Sequence, residues 1–491
     1  MSQLGALHIG VDVGTSSIKF LVMNESLETL DECSVPYESD SPAAGWNEID
    51  PRVWSEIVLG HLTEVCDRFR GAEIAGIGVT GQMHTTVFLD AQGTPVRPAI
   101  LWTDRRADDL VPQLASRLSE HSARNARIVA SGCMLASIAW LRRNEPEVFE
   151  QVAWVMTPKD YVVWSLTGEV TTDHSDASTS CMYDWEGEDW SGPVLEDIDL
   201  PARLLPPIRS SAAYAGTLSS DTQRRIGAES AIPVVAGAGD NVASALACGA
   251  FSSDSPVLSI GTSAVVIVPS MAGNLKGIGK NVRSSIVPGD SAMICQGSVG
   301  AGGKSLSWFV DGILGASSYS EIENSVQLDG LGVGQVLFFP HLNGEKIVYR
   351  DPGLRGAFYG LGLDTTRADM YQGVQEGVGY ALRALYDRIR NADEPPFITL
   401  VGGGSKSRLW PMMLANIFNR PIRVFENSHD AVRGAALLSM IAAGVTVRVD
   451  EDYSLVEPEQ ELVTRYRCRY EEYSQFGDSL FEFLQGMDAR T

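Results

Sequence analysis

Residues Asp12-Val13-Gly14-Thr15-Ser16-Ser17-Ile18-Lys19 place an acid, a glycine, three hydroxyls and a lysine within one short stretch. Glycine lets the backbone approach an anion closely. The N–H groups and hydroxyls of such a turn can wrap phosphate oxygens. An acid at the end of a strand can hold Mg²⁺, usually through water, and Lys19 would add positive charge beside a transferring phosphoryl group. A plain hairpin with a polar turn would have much the same composition. What separates the two readings is a second copy: Ser259-Ile260-Gly261-Thr262-Ser263 repeats the pattern half a chain later, with Ser259 standing where Asp12 stood. A nucleotide clamped between two related turns would have its phosphates at Gly14, Thr15 and Ser16 on one side and at Gly261 and Thr262 on the other.

Gly237-Ala238-Gly239-Asp240-Asn241 sets an acid directly after an apolar run, on a glycine-rich bend. Phosphoryl transfer to an alcohol needs a carboxylate to take the hydroxyl proton. Asp240 suits that role, with Asn241 placed to hydrogen-bond the acceptor; the plainer alternative is an N-cap for a helix beginning near 242. Gly81-Gln82-Met83-His84 and Trp102-Thr103-Asp104-Arg105-Arg106 add polar groups beside apolar walls, the usual dress of a sugar site. By itself His84 reads as a satisfied buried histidine; Asp104 and Trp102 nearby raise the sugar reading. Gly402-Gly403-Gly404, between a strand and a helix, can seat a flat adenine and its ribose against bare backbone.

Two other glycine patterns are set aside. Residues 76–81 match the dinucleotide fingerprint GxGxxG, but the stretch after them reads as strand rather than helix. Gly303-Lys304-Ser305 ends like a phosphate-binding loop but has Ser298 where the first glycine belongs.

The elements that must carry these residues alternate between strands and helices. Residues 6–13, 17–23, 74–80, 232–236, 257–260, 264–268 and 397–401 read as short apolar strands, rich in β-branched residues. Residues 407–418 read as a helix with Pro411 in its first turn, and 433–443 as a helix of small residues able to pack closely on a neighbour. The pattern predicts an α/β chain with largely parallel sheets. The paired hairpins predict an internal duplication, with the boundary near 245–255, giving domains 1–246 and 247–491.

With 491 residues the chain is long enough for several domains and large cores. Its net charge of −24 repels nucleic acid and anionic membranes, so neither is expected as a partner. Seven scattered cysteines, none in a CxxC, suit a reducing cytoplasm. The first residues lack the basic and apolar regions of a signal peptide, and no apolar run reaches membrane-spanning length.

Taken together, these motifs resemble the FGGY family of carbohydrate kinases over nearly the whole chain, and within it the xylulokinases. Asp12–Lys19 resembles the first phosphate motif and Ser259–Ala264 the second. GQMH with LWTDRR resembles the sugar-binding stretch, and residues 145–178 follow the xylulokinase pattern throughout. GAGDN resembles the catalytic segment. LNGEK at 342–346 is similar to the usual GER, with Lys346 for arginine. Residues 356–376 fit the C-terminal signature, with Gly373 where alanine or serine is usual. VGGGSKS at 401–407 resembles the adenosine motif.

The resemblance implies two duplicated actin-like, ribonuclease H-like ATPase domains flanking a catalytic cleft, in an enzyme using ATP and Mg²⁺. The N-terminal domain would hold the sugar at Met83, His84, Asp104, Asp240 and Asn241. ATP would sit at Gly14, Thr15, Ser16, Lys19, Gly261, Thr262, Gly403, Gly404 and Ser407, with Asp12 on the metal and Asp240 as base. It implies D-xylulose as acceptor, and a homodimer as the family's habit. One stretch departs: at 132–144 the N-terminal signature is met by Trp140, Arg143 and Asn144 but not by Met134 or Ser137. The departure lies where the family reads its sugar, which keeps other ketoses and polyols in view. A non-catalytic actin-like ATPase is the remaining alternative, and it has no need of GQMH or GAGDN.

Overall fold

A computed structural model describes residues 5–488 except 254, 271–279, 288, 291, 316–317, 346, 352, 391–393, 426–429 and 450–452. Lys346 therefore lies outside the described residues. Two seven-stranded mixed sheets dominate. The first contains β1 (Leu7–Val13), β2 (Ser17–Asn24), β3 (Thr29–Pro36), β4 (Ile74–Gly81), β5 (Tyr214–Thr217), β6 (Pro233–Val235) and β7 (Ala238–Gly239). The second contains β8 (Val257–Ile260), β9 (Ala264–Ser270), β10 (Lys280–Ser284), β11 (Ala292–Val299), β12 (Ile398–Val401), β13 (Ile422–Phe425) and β14 (Tyr453–Val456).

The sheets share a central arrangement and differ in connectivity toward their edges. In the first, the order is β5-β6-β4-β1-β2-β3, with β7 pairing on β4; in the second it is β14-β13-β12-β8-β9-β11-β10. Each has a central hairpin, β1–β2 or β8–β9, that extends antiparallel on one side and meets parallel strands on the other. The central strand β1 is buried along its whole length and β8 everywhere but at Ser259, so both are mostly apolar without alternation. The duplication read from the two GTS turns is thus a duplication of that central arrangement. The turns are not identical: pairing closes at Val13–Ile18 in the first and at Ile260–Ala264 in the second, one residue tighter.

Six helices position the site: α1 (Ala123–Ile128), α2 (Pro158–Thr167), α3 (His174–Thr179), α4 (Asp240–Ala247), α5 (Trp410–Phe418) and α6 (Ala431–Ala442). Helix α5 begins with Trp410 and Pro411 in its first turn, where the missing N–H costs nothing. Helix α6 is the small-residue helix. It belongs to the C-terminal half of the chain but lies on β1 and β4 of the first sheet and against α4. Glycine makes this possible. A Cβ on Gly78 would stand 1.8 Å from the Ala435 carbonyl oxygen, one on Gly10 2.1 Å from that of Val432, and one on Gly434 2.0 Å from that of Ala243. The rejected GxGxxG is therefore a helix-docking surface, which explains its glycines without any dinucleotide. Among the described residues no helix is long and apolar enough to cross a membrane.

Candidate active site

The two hairpin turns and the glycine-rich bend before α4 open onto one cleft of about 900 Å³. Met83, His84, Asp240, Asn241, Thr15 and Ser263 all line it. The register of the first sheet brings them together: β7 pairs in parallel with β4, opposing Ala238 to Thr80 and Gly239 to Gly81, so the chain leaving β4 and the chain leaving β7 emerge side by side. Thr80 Oγ1 donates to the Ala238 carbonyl at 2.7 Å and fixes that pairing. Met83 then lies against Gly239, where a Cβ would come within 2.7 Å of its side chain. Asn241 Nδ2 reaches Met83 Sδ at 3.7 Å. Gly239, not Asp240, occupies the cap position of α4, and Asp240 is its first residue, with Oδ1 accepting from the Asn241 N–H at 2.7 Å.

Asp240 is held for chemistry at neutral pH. Burial raises its carboxyl pKa to about 6, against the pull of the Asn241 N–H and the Lys280 ammonium. Asp12 is raised further, to about 7, by burial and then by Asp240, with Lys19 opposing and Asp430 adding to the rise. Its Oδ1 is buried without a hydrogen-bond partner. An orphaned carboxylate oxygen facing two more acids is a fitting place for a divalent cation. Among the described residues no three His, Cys, Asp or Glu side chains form a metal cage. That suits Mg²⁺, which keeps its waters and takes phosphate oxygens.

The first turn is braced from the acceptor side. The Trp102 indole N–H donates to Thr15 Oγ1 at 3.0 Å, Gln82 Nε2 to the Gly14 carbonyl at 3.3 Å, and the Tyr37 hydroxyl to the same carbonyl. Thr15 and Ser16 are exposed, as are Gly261 and Thr262. The second turn is braced differently: the Gly303 and Lys304 N–H groups donate to the Gly261 and Thr262 carbonyls at 2.8 and 3.0 Å. The stretch that resembled the end of a phosphate-binding loop thus supports a turn. The 402–404 loop docks here too, since a Cβ on Gly402 would come within 2.7 Å of the Ile260 carbonyl oxygen. Gly403 and Gly404 therefore flank the second turn.

Three residues expected at the ligands are otherwise engaged. Asp104 is buried inside an ion pair: it accepts from the Asn47 N–H at 2.6 Å and from Arg106, whose guanidinium lies 3.9 Å over Trp46. It braces the 102–106 segment instead of facing the cleft. Lys19 is opposite Asp12 in register but pairs with Asp430 at 2.7 Å. The Ser407 hydroxyl donates to Glu323 at 2.5 Å and accepts from the Leu409 and Trp410 N–H groups, so it caps α5. In each case a nearer partner satisfies the polar group, and sequence spacing does not reveal that partner.

The structure adds residues as well. Lys159, on α2, is fully buried and bonded to Asp160, Asp173 and Asp176 at 2.6, 3.1 and 3.2 Å. Burial pushes the Asp176 carboxyl up, with the Lys159 ammonium opposing the rise. The output of this cluster is positional: Ser175 Oγ donates to Asp173 and accepts from the Gly239 N–H at 2.8 Å, immediately before Asp240. Lys159 and three acids amid apolar residues of 158–176 were the available signal. From the other sheet, Lys280 on β10 reaches across to His84 Nε2. Burial lowers both groups, His84 far below its ordinary range and Lys280 to about 8, so His84 is neutral.

The model of the N-terminal domain of the FGGY family of carbohydrate kinases matches residues 7–247, and that of the C-terminal domain residues 257–443. The chain belongs to the FGGY family. It is 31% identical over 436 residues to the xylulose kinase of Staphylococcus xylosus, covering 88% of this chain and 90% of that one. It is 30% identical over 440 residues to the xylulose kinase of Escherichia coli K12, covering 89% and 90%. The crystal structure of xylulose kinase from Rhodospirillum rubrum, 25% identical, superimposes with a TM-score of 0.85 over 98% of this chain and 100% of that one. The protein is accordingly an ATP-dependent sugar kinase of actin-like architecture.

Proposed function

We propose that the protein transfers the γ-phosphoryl group of ATP to a hydroxyl of a small ketose, with D-xylulose, giving D-xylulose 5-phosphate, as the first acceptor to test. The convergence of Met83, His84, Asp240 and Asn241 on the cleft shared by both turns carries this reading. The relatives named xylulose kinase at about 30% identity support it. In this reading residues 1–246 hold the acceptor and 247–491 most of the nucleotide, with the adenine near Gly403 and Gly404.

Asp240 accepts the hydroxyl proton as the oxygen attacks, Asn241 orients the acceptor by a hydrogen bond, and the neutral His84, held by Lys280, walls the acceptor site. The backbone N–H groups and hydroxyls of Thr15, Ser16 and Thr262 meet the phosphate oxygens. Mg²⁺, held from Asp12 through water, would supply charge neutralisation for the phosphates. Lys19, opposite Asp12 in the strand register and paired with Asp430, favours the charged form of Asp12. Closure of the halves excludes water, which would otherwise take the phosphoryl group.

A second reading, a kinase of another ketose or a polyol, is favoured by one observation: Gly132 and Cys133, at the start of the stretch that departs from the family signature, line the cleft. ADP formation with MgATP across ketopentoses, tetruloses, alditols and glycerol tests both readings. Selective response to D-xylulose supports the first, and selective response to another member supports the second. In the first case Asp240→Ala should bind ATP and make no ADP; normal turnover in that variant removes Asp240 as base.

A further inference from the structure

The cleft is more positive than the molecule around it. The chain has a net charge of −24, yet among the described residues Arg124, Arg127, Lys280 and Arg350 line the cleft against Asp240 and Glu345. Glu345 is occupied internally, accepting from the Ile347, Tyr349 and Arg350 N–H groups at 3.0, 2.6 and 3.1 Å. The excess charge therefore faces the cavity.

Two of these cations are built in rather than merely present. Lys280 reaches from the second sheet onto His84, in the middle of the acceptor residues, and among the described residues it forms no ion pair with a carboxylate. Arg124, half-buried on α1, lies 4.8 Å over the Trp185 ring. That platform is rigid: the Trp185 indole N–H donates to Asn125 Oδ1 at 2.9 Å, and Asn125, fully buried, donates to the Tyr183 carbonyl at 2.9 Å. Burial and then the neighbouring cations Arg283 and Arg127 disfavour the charge on Arg124, and only the Cys295 thiol acts the other way. Arg283 has Glu188 at 3.2 Å; among the described residues no carboxylate stands within ion-pair distance of Arg124. An unpaired, partly desolvated guanidinium is costly unless an anion from outside completes it. The ATP phosphates have the two hairpin turns, and a neutral ketose offers no charge at all.

We infer that the acceptor cleft recognises a short polyhydroxy chain whose non-reacting end carries an oxyanion, with Lys280 and Arg124 as its counter-charges. The inference rests on the reading of this cleft as the acceptor site. The transfer keeps its balance. The acceptor hydroxyl oxygen bonds to the γ-phosphorus, the bond from that phosphorus to the β-phosphate oxygen breaks, ADP leaves, and the proton goes to Asp240. The anionic end is a spectator. A carboxylate and a phosphate monoester present the same oxygens to a guanidinium, so the acceptor class includes sugar acids and sugar monophosphates.

The test measures ADP formation by the full chain with MgATP against three sets of equal carbon number: neutral ketoses including D-xylulose, aldonic acids, and ketose monophosphates. At least one anionic acceptor should exceed D-xylulose tenfold or more in kcat/KM, and the responding set identifies carboxylate or phosphate. The ratio of its kcat/KM to that of D-xylulose should fall at least tenfold in Arg124→Gln and in Lys280→Gln, chiefly through KM. Arg124→Lys, which retains the charge, should recover part of the loss, and an unchanged melting temperature should separate these effects from misfolding. Turnover of D-xylulose with none of either anionic set overturns the inference and leaves the kinase reading intact. Silence with all three sets overturns both. An anionic acceptor whose advantage survives both substitutions overturns the assignment of these counter-charges.

Discussion

The two hairpins share a backbone and differ in what they place on it. In the first, Asp12 faces Lys19 across the ladder, and a buried carboxylate is held beside Asp240 and Asp430. In the second, Ser259 faces Val265, the turn is one residue shorter, and no titratable group follows. Each hairpin has parallel neighbours on one side, but on the other β2 pairs with the next strand in the chain, β3, whereas β9 pairs with β11 and leaves β10 at the edge. The comparison teaches that the duplicated fold supplies two equivalent cradles of N–H groups, while chemistry enters through one side chain at one register position. In the proposed reading the phosphates use both turns, while a metal ion and a proton acceptor are needed once.

The largest test of that asymmetry is Asp240→Ala. Loss of a positioned base should lower kcat by about 10³ while equilibrium ATP binding persists, as measured by fluorescence titration. Next, Asp12→Asn should lower kcat by about 10² and raise the Mg²⁺ concentration needed for half-maximal rate, whereas Ser259→Ala should stay within about threefold of the parent. Equal losses from both would show that the hairpins do equivalent work. The pH profile gives the third test. Because burial raises Asp240 to about 6, the base form is lost below that value, so kcat/KM should fall tenfold per unit on the acid side. Lys280, lowered to about 8, loses its charge above that value. A decline near 8 that disappears in Lys280→Gln would place this lysine in the rate. Gly78→Ala should leave the turns unaltered but cost about 1–3 kcal/mol by thermal or denaturant unfolding, since its Cβ meets the Ala435 carbonyl. The smallest effect belongs to Lys19→Met: its ion pair with Asp430 is partly exposed, and stability should change by less than about 1 kcal/mol.

The strands and their turns were legible because both signals are local. Apolar β-branched runs ended by glycine and hydroxyl residues specify a hairpin wherever it occurs, and the second GTS turn revealed the first as half of a pair. Met83, His84, Asp240 and Asn241 could be named because each follows a strand end, where α/β sheets collect their ligands. What stayed hidden depends on distant partners. Nothing near Asp104 points to the Asn47 N–H, 57 positions away, that turns it inward with Arg106, and nothing near Lys19 points to Asp430, 411 positions away. Lys280 reads as an ordinary strand residue until the second sheet carries it onto His84. Residues 433–443 were recognised as a close-packing helix, but their target, the glycine-lined face of β1 and β4, became visible only in three dimensions.

That docking has a consequence for how the molecule is made. The first sheet is complete in strands once Gly239 has emerged, yet the helix that covers its glycine face begins at Ala431, some 190 residues later. At ribosomal speeds of about 5–20 residues per second, the uncovered face waits on the order of tens of seconds. Until then a strip of Gly10, Gly76 and Gly78 backbone stands open to any short helix of small residues. A fragment ending near residue 246 would carry that open slot permanently, and a peptide spanning 431–442 added in trans is its natural complement.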